Sequence, residues 1–296
     1  MAPRVRLFVD HPLSEGARVP LERAQAHYLF NVMRLGEGAE IAVFDGRSGE
    51  WAAEVVEAGK RGGALECRRP TAPQGAPPDL WLLFAPVKKA RTDFIVEKAV
   101  EMGARRIVPV QTDRTNAERI RRDRLQAHAV EAAEQCGATV VPEVADLGPL
   151  ARLLDDWPEG RALLYADEGE AGRASPLAGL LARDDARQGG GAPPPAPPPP
   201  APPPPAAPPP AAPPPAAPPP AAPPPAAPPP AAPPPAAPPP AALLIGPEGG
   251  WSEGERARLA ALAAARPLAL GPRILRADTA AVAALALWQA ACGDWR

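Results

Sequence analysis

The chain has 296 residues, length enough for two ordinary domains, and a formal net charge of −2, so it lacks the strong basic excess that often marks a nucleic-acid binder. Cys67, Cys136 and Cys292 lie far apart with no CxxC pair, which argues against a disulfide framework or a zinc site. No segment has the apolar core of a signal peptide or the roughly 18 apolar residues of a membrane span, so a soluble cytoplasmic chain with no metal and no membrane contact is expected.

Residues 4–69 read mostly as strands. Residues 40–44 run into an Asp45-Gly46 turn, residues 51–56 follow in rough alternation, and Gly62-Gly63 turns the chain into 64–67. One helix interrupts them at 21–30, with Leu21, Ala24, Tyr28 and Leu29 on one face. This is the pattern of a small β-barrel. Residues 70–78, PTAPQGAPP, have no periodicity and read as a linker.

From Leu80 onward the character changes. Residues 80–84 form a continuous apolar run, as expected of a strand buried on both faces, and a helix over 90–102 follows, closed by Gly103. The alternation continues with a strand at 106–110, a helix over 117–136 ending at Gly137, a strand at 139–141, a short helix at 147–157 and a strand at 161–166. A short helix at 177–182 and a strand at 242–245 come next. Ser252, with Glu255 three residues on, makes a capping box for a helix to about 265. A short strand at 268–270 and a closing helix from Asp278 or Thr279 to 291 complete the chain. Strands and helices alternating in this way predict a parallel α/β sheet.

Between Pro193 and Pro240 lie 32 of the 48 prolines, written as repeats of PPPAA. Proline has no amide hydrogen and a fixed φ, so a polyproline II or disordered insertion is expected over 189–241. Two uses are open to it: a PxxP-like ligand for a partner domain, or a surface insertion, tolerated because each doubling of loop length costs only about 0.6 kcal/mol.

Gly246-Pro247-Glu248-Gly249-Gly250 follows a buried strand and precedes a capped helix, the position at which open α/β sheets bind ligands. It is neither a GxGxxG fingerprint nor a P-loop. A second segment, 270–279, leaves another strand for another helix and carries Arg273, Arg276 and Asp278. Two such loops on one sheet edge point to a pocket for a small ligand beside an anionic substrate.

These two segments, together with Trp288-Gln289 and Gly293-Asp294-Trp295, resemble the bacterial 16S ribosomal RNA uridine-N3 methyltransferases of the SPOUT class. So do Lys88 and Arg91 ahead of the 97–103 helix end, the Thr112-Asp113-Arg114-Thr115 turn, and Glu134-Gln135-Cys136-Gly137. Near the N-terminus, His27-Tyr28 and Val32-Met33-Arg34-Leu35 resemble an element of that family's PUA-like barrel. The likeness covers nearly all of the chain except the proline tract. The chain departs from the family pattern in the enlarged loop before Gly246, in Asp278 where glutamate is commoner, and in Ala138 where arginine is frequent.

The resemblance implies a PUA-like RNA-binding barrel over 1–70, a linker over 71–79, and a SPOUT methyltransferase domain over 80–296 interrupted by 189–241. It implies a parallel sheet tied in a trefoil knot, a homodimer, and 16S ribosomal RNA or the small ribosomal subunit as partner. S-adenosyl-L-methionine would lie among Leu244, Ile245, Gly246, Gly249, Leu270, Gly271, Ile274 and Leu275. Arg276 would face the uridine anion or a phosphate, while Glu248 or Asp278 orients the base or accepts its proton. Arg4, Arg6, Arg34, Lys88, Arg91 and Arg114 would contact RNA. Other readings of single residues stay open: Glu248 as a helix cap, Arg276 as the ion-pair partner of Asp278, His27 as a packed barrel residue. The basic stretch Arg119, Arg121, Arg122 and Arg124 reads equally as a solvated helix face or an RNA contact. Two other functions also stay open, methylation of a different RNA nucleotide and RNA binding without catalysis.

Overall fold

Short alternating segments build the N-terminal part of the computed structural model, which describes residues 5–59, 62–116, 119–173 and 238–295. Arg4, the helix expected at 177–182 and the proline tract lie outside the described residues. Strands β1 (Arg6–Phe8), β2 (Arg18–Leu21), β3 (Glu40–Phe44), β4 (Glu50–Ala58) and β5 (Gly63–Ala72) pair in the order β1-β3-β4-β5-β2. The β1–β3 ladder is parallel and the rest are antiparallel. Val19, Leu29, Ile41, Val43, Val55 and Leu65 are fully buried in a core of this sheet's own. Expected linker residues continue β5, with Pro70 opposite Trp51 and Ala72 opposite Glu50. Because β2 reaches only to Glu66, that stretch of β5 has a free edge, where proline's missing N–H breaks no ladder bond.

The helix expected at 21–30 is a single α-turn, α1 (Arg23–Ala26), continued by a π-helix at His27–Val32. Leu21, Ala26 and Leu29 are buried and Tyr28 packs against the same core, whereas Ala24 and His27, both expected inside, are exposed; the wider turn rotates the residues that follow Ala26.

The second sheet is parallel throughout. Its strands are β6 (Leu80–Phe84), β7 (Arg106–Gln111), β8 (Glu143–Val144), β10 (Ala162–Ala166), β11 (Ala241–Ile245) and β12 (Ala265–Leu268), in the order β12-β10-β11-β6-β7-β8; the two-residue β9 (Gly148–Pro149) pairs separately with β7. Helices α2 (Lys89–Glu101), α3 (Arg122–Cys136) and α6 (Ala277–Cys292) pack on Leu82, Phe84, Leu243 and Ile245. Helices α4 (Leu150–Asp155) and α5 (Glu253–Ala261) pack on Leu83, Ala242 and Leu244, the alternate residues of the same strands. Burial on both faces explains why these strands read as unbroken apolar runs.

Several boundaries differ from expectation. Helix α3 starts at Arg122, and α4 is shortened because Gly148 and Pro149 pair with Val110 and Gln111. Residues 139–141 form no strand. Thr139 is drawn instead to the connection between the sheets, accepting from Gly75 N at its Oγ1 (3.0 Å). Helix α5 stops at Ala261 because Leu262 turns extended, which lets Ala265 pair with Leu163 in β12. The capping box of Ser252 and Glu255 is present, and Gly137 ends α3 with φ 83°.

The two sheets belong to one compact unit. Arg6 of β1 donates to the carbonyls of Ala133 (2.7 Å), Glu134 (3.0 Å) and Ala138 (2.9 Å) at the end of α3, to Glu50 (2.6 Å), and stacks on Phe44. The guanidinium, expected to contact RNA, is engaged at the junction between the sheets. Phe8 N donates to Glu134 Oε1 at 2.9 Å, closing the same junction. On the far side, buried Gln289 of α6 donates to Met102 O (2.6 Å) and accepts from Asp294 N (3.1 Å), tying the last helix to the end of α2. No helix among the described residues is long and apolar enough to cross a membrane.

Candidate active site

The carboxyl ends of β10, β11 and β12 lie side by side, and the loops that leave them enclose one cleft. The first loop contributes Ala166, Asp167, Glu168 and Ala171; the second Gly246, Pro247, Glu248, Gly250 and Trp251; the third Leu270, Gly271, Arg273, Ile274 and Leu275. The side of Gly246 is closed by Trp251. A Cβ there would meet the indole at 2.8 Å, and the indole cannot yield because its Nε1 donates to Ala166 O at 2.8 Å. Gly271, at φ 104°, takes a turn that L side chains rarely adopt.

The first loop is fastened from behind. Arg256 of α5 donates to both Asp167 oxygens, at 2.5 and 2.6 Å, and to Glu168 at 3.4 Å. The hydrogen bond with Asp167 makes the guanidinium hold its proton more tightly still. Asp167 Oδ1 also accepts from Gly169 N at 2.9 Å. Sequence reasoning placed strand 161–166 but missed this loop as a wall. The available signal was the run Asp167-Glu168-Gly169-Glu170, directly after a buried strand of the same sheet.

At the mouth of the cleft Arg91, from the first turns of α2, pairs with Glu248 and approaches Asp278 Oδ2 at 3.7 Å. The turn after β7 is held against the second loop. Arg114 donates to Gly249 O (2.7 Å), Ser252 Oγ to Asp113 Oδ2 (2.5 Å), and Asp113 N to the buried Glu255 (2.9 Å).

Of the residues expected around a cofactor, Ile245, Gly246, Leu270, Gly271, Ile274 and Leu275 line the cleft. Leu244 does not. The period of two along β11 sends its side chain to the α4–α5 face, where it is fully buried. Gly249 lies beside the Arg114 side chain, outside the cleft lining. Glu248 lines the cleft and does not cap α5, a task that Ser252 performs. Asp278 joins Glu248 through Arg91 and forms no ion pair with Arg276, which is exposed at the N-cap of α6. Arg91 and Arg114 are engaged by neighbouring loops, while Lys88 and Arg34 are exposed, Arg34 with φ 56°.

An apolar-walled cleft with open backbone, and two carboxylates and a guanidinium at its mouth, can hold a small ligand and move a proton beside it. Fold and cleft together define an α/β protein with a cleft at the carboxyl edge of a parallel sheet, where such sheets take ligands, and a smaller mixed sheet ahead of it. The RNA methyltransferase domain family matches residues 75–188 and 231–289, more than half of the chain, and the RNA methyltransferase PUA domain family matches 21–66. The chain belongs to the RNA methyltransferase domain family. The gap in that match falls within the proline–alanine tract.

Similar proteins include the ribosomal RNA small subunit methyltransferase E of Rickettsia conorii, 22% identical over 286 residues that cover 95% of this chain and 93% of the relative. The protein of that name from Synechocystis is 27% identical over 274 residues, covering 91% and 72%. Among solved structures, a ribosomal RNA small subunit methyltransferase E from Neisseria gonorrhoeae, bound to S-adenosyl methionine, shares the fold with a TM-score of 0.72 at 24% identity, each chain covered in full.

Proposed function

We propose that the chain transfers the methyl group of S-adenosyl-L-methionine to N3 of a uridine in 16S ribosomal RNA, acting in the cytoplasm as a homodimer with its sheet knotted around the cofactor. The observation that carries this reading is the cleft at the ends of β10, β11 and β12 with the Arg91–Glu248–Asp278 cluster at its mouth. Membership of an RNA methyltransferase family and relatives named for the small ribosomal subunit support the substrate.

The residues present fit the cofactor. Gly246 lies against Trp251 with no Cβ in the space, Ile245, Leu270 and Leu275 give apolar walls, and Glu168 at the rim offers a carboxylate to hydroxyl or ammonium groups. When bound, S-adenosylmethionine supplies an activated methyl on a sulfonium centre. The protein's own work is to place uridine N3 in line with that methyl and to manage one proton, and positioning supplies much of the rate. Glu248 or Asp278, held together by Arg91, accepts the N3 proton. Arg276, exposed where α6 begins, faces the negative charge that develops on the uracil. Ile274, 77% exposed beside the cleft, and Trp295, 52% exposed, fit burial against a second copy.

Deleting the gene and mapping modified nucleotides in ribosomal RNA tests the substrate: one N3-methyluridine should vanish from 16S RNA, and an unchanged profile overturns the reading. Arg276→Ala should lower kcat about 100-fold with little change in the cofactor Kd measured by calorimetry. Equal losses in both would remove Arg276 from the substrate side.

A further inference from the structure

The carboxyl edge of the parallel sheet carries a second pocket. Because β6 neighbours β11, the loops that leave β6 and β7 continue the edge past the methyl-transfer cleft. With the first turns of α2 and α3 they enclose about 490 Å³, within the ~300–1,000 Å³ usual for small-molecule sites. Val87 and Ile120 form its apolar side, and Lys88, Lys89 and Arg119 its cationic rim. The remaining arginines are committed, Arg121 to Asp123 and Arg124 to Asp93, whereas Lys88, Lys89 and Arg119 have no ion-pair partner among the described residues. The N-cap side chains Lys88 and Arg121 make no cap bond; in the first turn of α3 the Asp123 carboxylate takes backbone N–H groups instead, whereas the first turn of α2 has no acidic residue. The start of α2 thus lies without an anionic partner of its own where cations also gather. Lys88 and Lys89 at the start of α2 oppose its dipole and work against stability, a placement that a bound anion offsets.

We propose that this pocket holds a nucleotide flanking the one that is methylated, its phosphate on Lys88, Lys89, Arg119 and the start of α2, its base against Val87 and Ile120. The proposal rests on the reading that the neighbouring cleft methylates RNA. Arg91, one turn along α2 from Lys88, reaches Glu248 at the mouth of that cleft, so a single strand passes from one pocket to the other across one helical turn.

The test compares the unsubstituted protein with a Lys89→Ala/Arg119→Ala variant and with Ile120→Ala, using 16S ribosomal RNA as methyl acceptor. The double variant should raise the KM for RNA about tenfold and flatten the log–log salt dependence of RNA binding by about 0.7 per lost cation. Its kcat at saturating RNA and its S-adenosylmethionine affinity should stay unchanged. An RNA KM within twofold of the unsubstituted protein, with activity intact, overturns the pocket assignment. If Ile120→Ala leaves RNA binding untouched while the double variant weakens it, the pocket grips a bare phosphate, and the nucleotide assignment falls. An unsubstituted protein that binds no S-adenosylmethionine sinks the methyl-transfer reading instead, and the salt dependence still reports on the pocket.

Discussion

Arg6 reaches from the first strand into the last turn of α3, where a cation meets the negative end of a helix dipole. Replacing it with alanine leaves three carbonyls and Glu50 without their charged donor in a half-buried seam. Arg6→Ala should cost about 2–4 kcal/mol of stability in denaturant unfolding, with cofactor affinity of the folded protein preserved. Glu134, in the same seam, titrates above the ordinary carboxylate range because burial disfavours its charged form, only partly offset by the Phe8 amide and Arg6. The native state therefore binds this proton more tightly than the unfolded chain, and the stability tied to it is present at low pH and lost as pH climbs through the raised value. Glu134→Gln keeps an acceptor for Phe8 and cannot ionise. Its melting temperature should equal or exceed that of the unsubstituted protein at pH 7, the difference vanishing near pH 4. Neither role was legible in the sequence: Arg6 looks like any arginine on a strand, and its carbonyl partners lie 127 to 132 positions away.

At the level of elements, the loops after β11 and β12 were legible because each stands between an apolar strand and a marked helix start and carries glycine. The loop after β10 was not, because a run of acidic residues at a strand end reads as solvated surface until Arg256 is seen behind it. The π-helix at His27–Val32 escaped for a different reason. A search for helical periodicity assumes 3.6 residues per turn, and one wider turn rotates every later side chain. The cleft itself is sensitive to one atom. Gly246→Ala presses a methyl into Trp251, whose indole is pinned by Ala166; the clash should cost about 1–3 kcal/mol and weaken S-adenosylmethionine binding at least tenfold by calorimetry. Unaltered affinity would show that Trp251 moves freely.

For the whole molecule, the family match resumes on either side of the proline–alanine repeats, with residues 189–230 left unmatched. Strands β10 and β11 are direct neighbours in register, Leu164 beside Leu243, so the pairing needs only a connection long enough to cross back over the sheet. Removing residues 189–236 should leave kcat/KM for ribosomal RNA within twofold, and loss of activity in a still-folded variant would assign the repeats a role in catalysis. The alternating strands and helices made the parallel sheet legible, but strand order was not, since periodicity says which face a residue takes and nothing about which neighbour it finds.

That order bears on how the protein is made. β11 sits between β10 and β6, yet the ribosome releases both of those strands long before it. Until residue 245 has left the exit tunnel, β6 keeps one apolar edge unpaired and β10, whose neighbours β11 and β12 both come later, has no partner strand, the kind of edge that recruits foreign strands. The repeats lengthen that wait by their own synthesis time. Their cost therefore falls on the nascent chain, as exposure to misassembly, and shortening them should raise the yield of soluble protein even where the finished enzyme is unchanged.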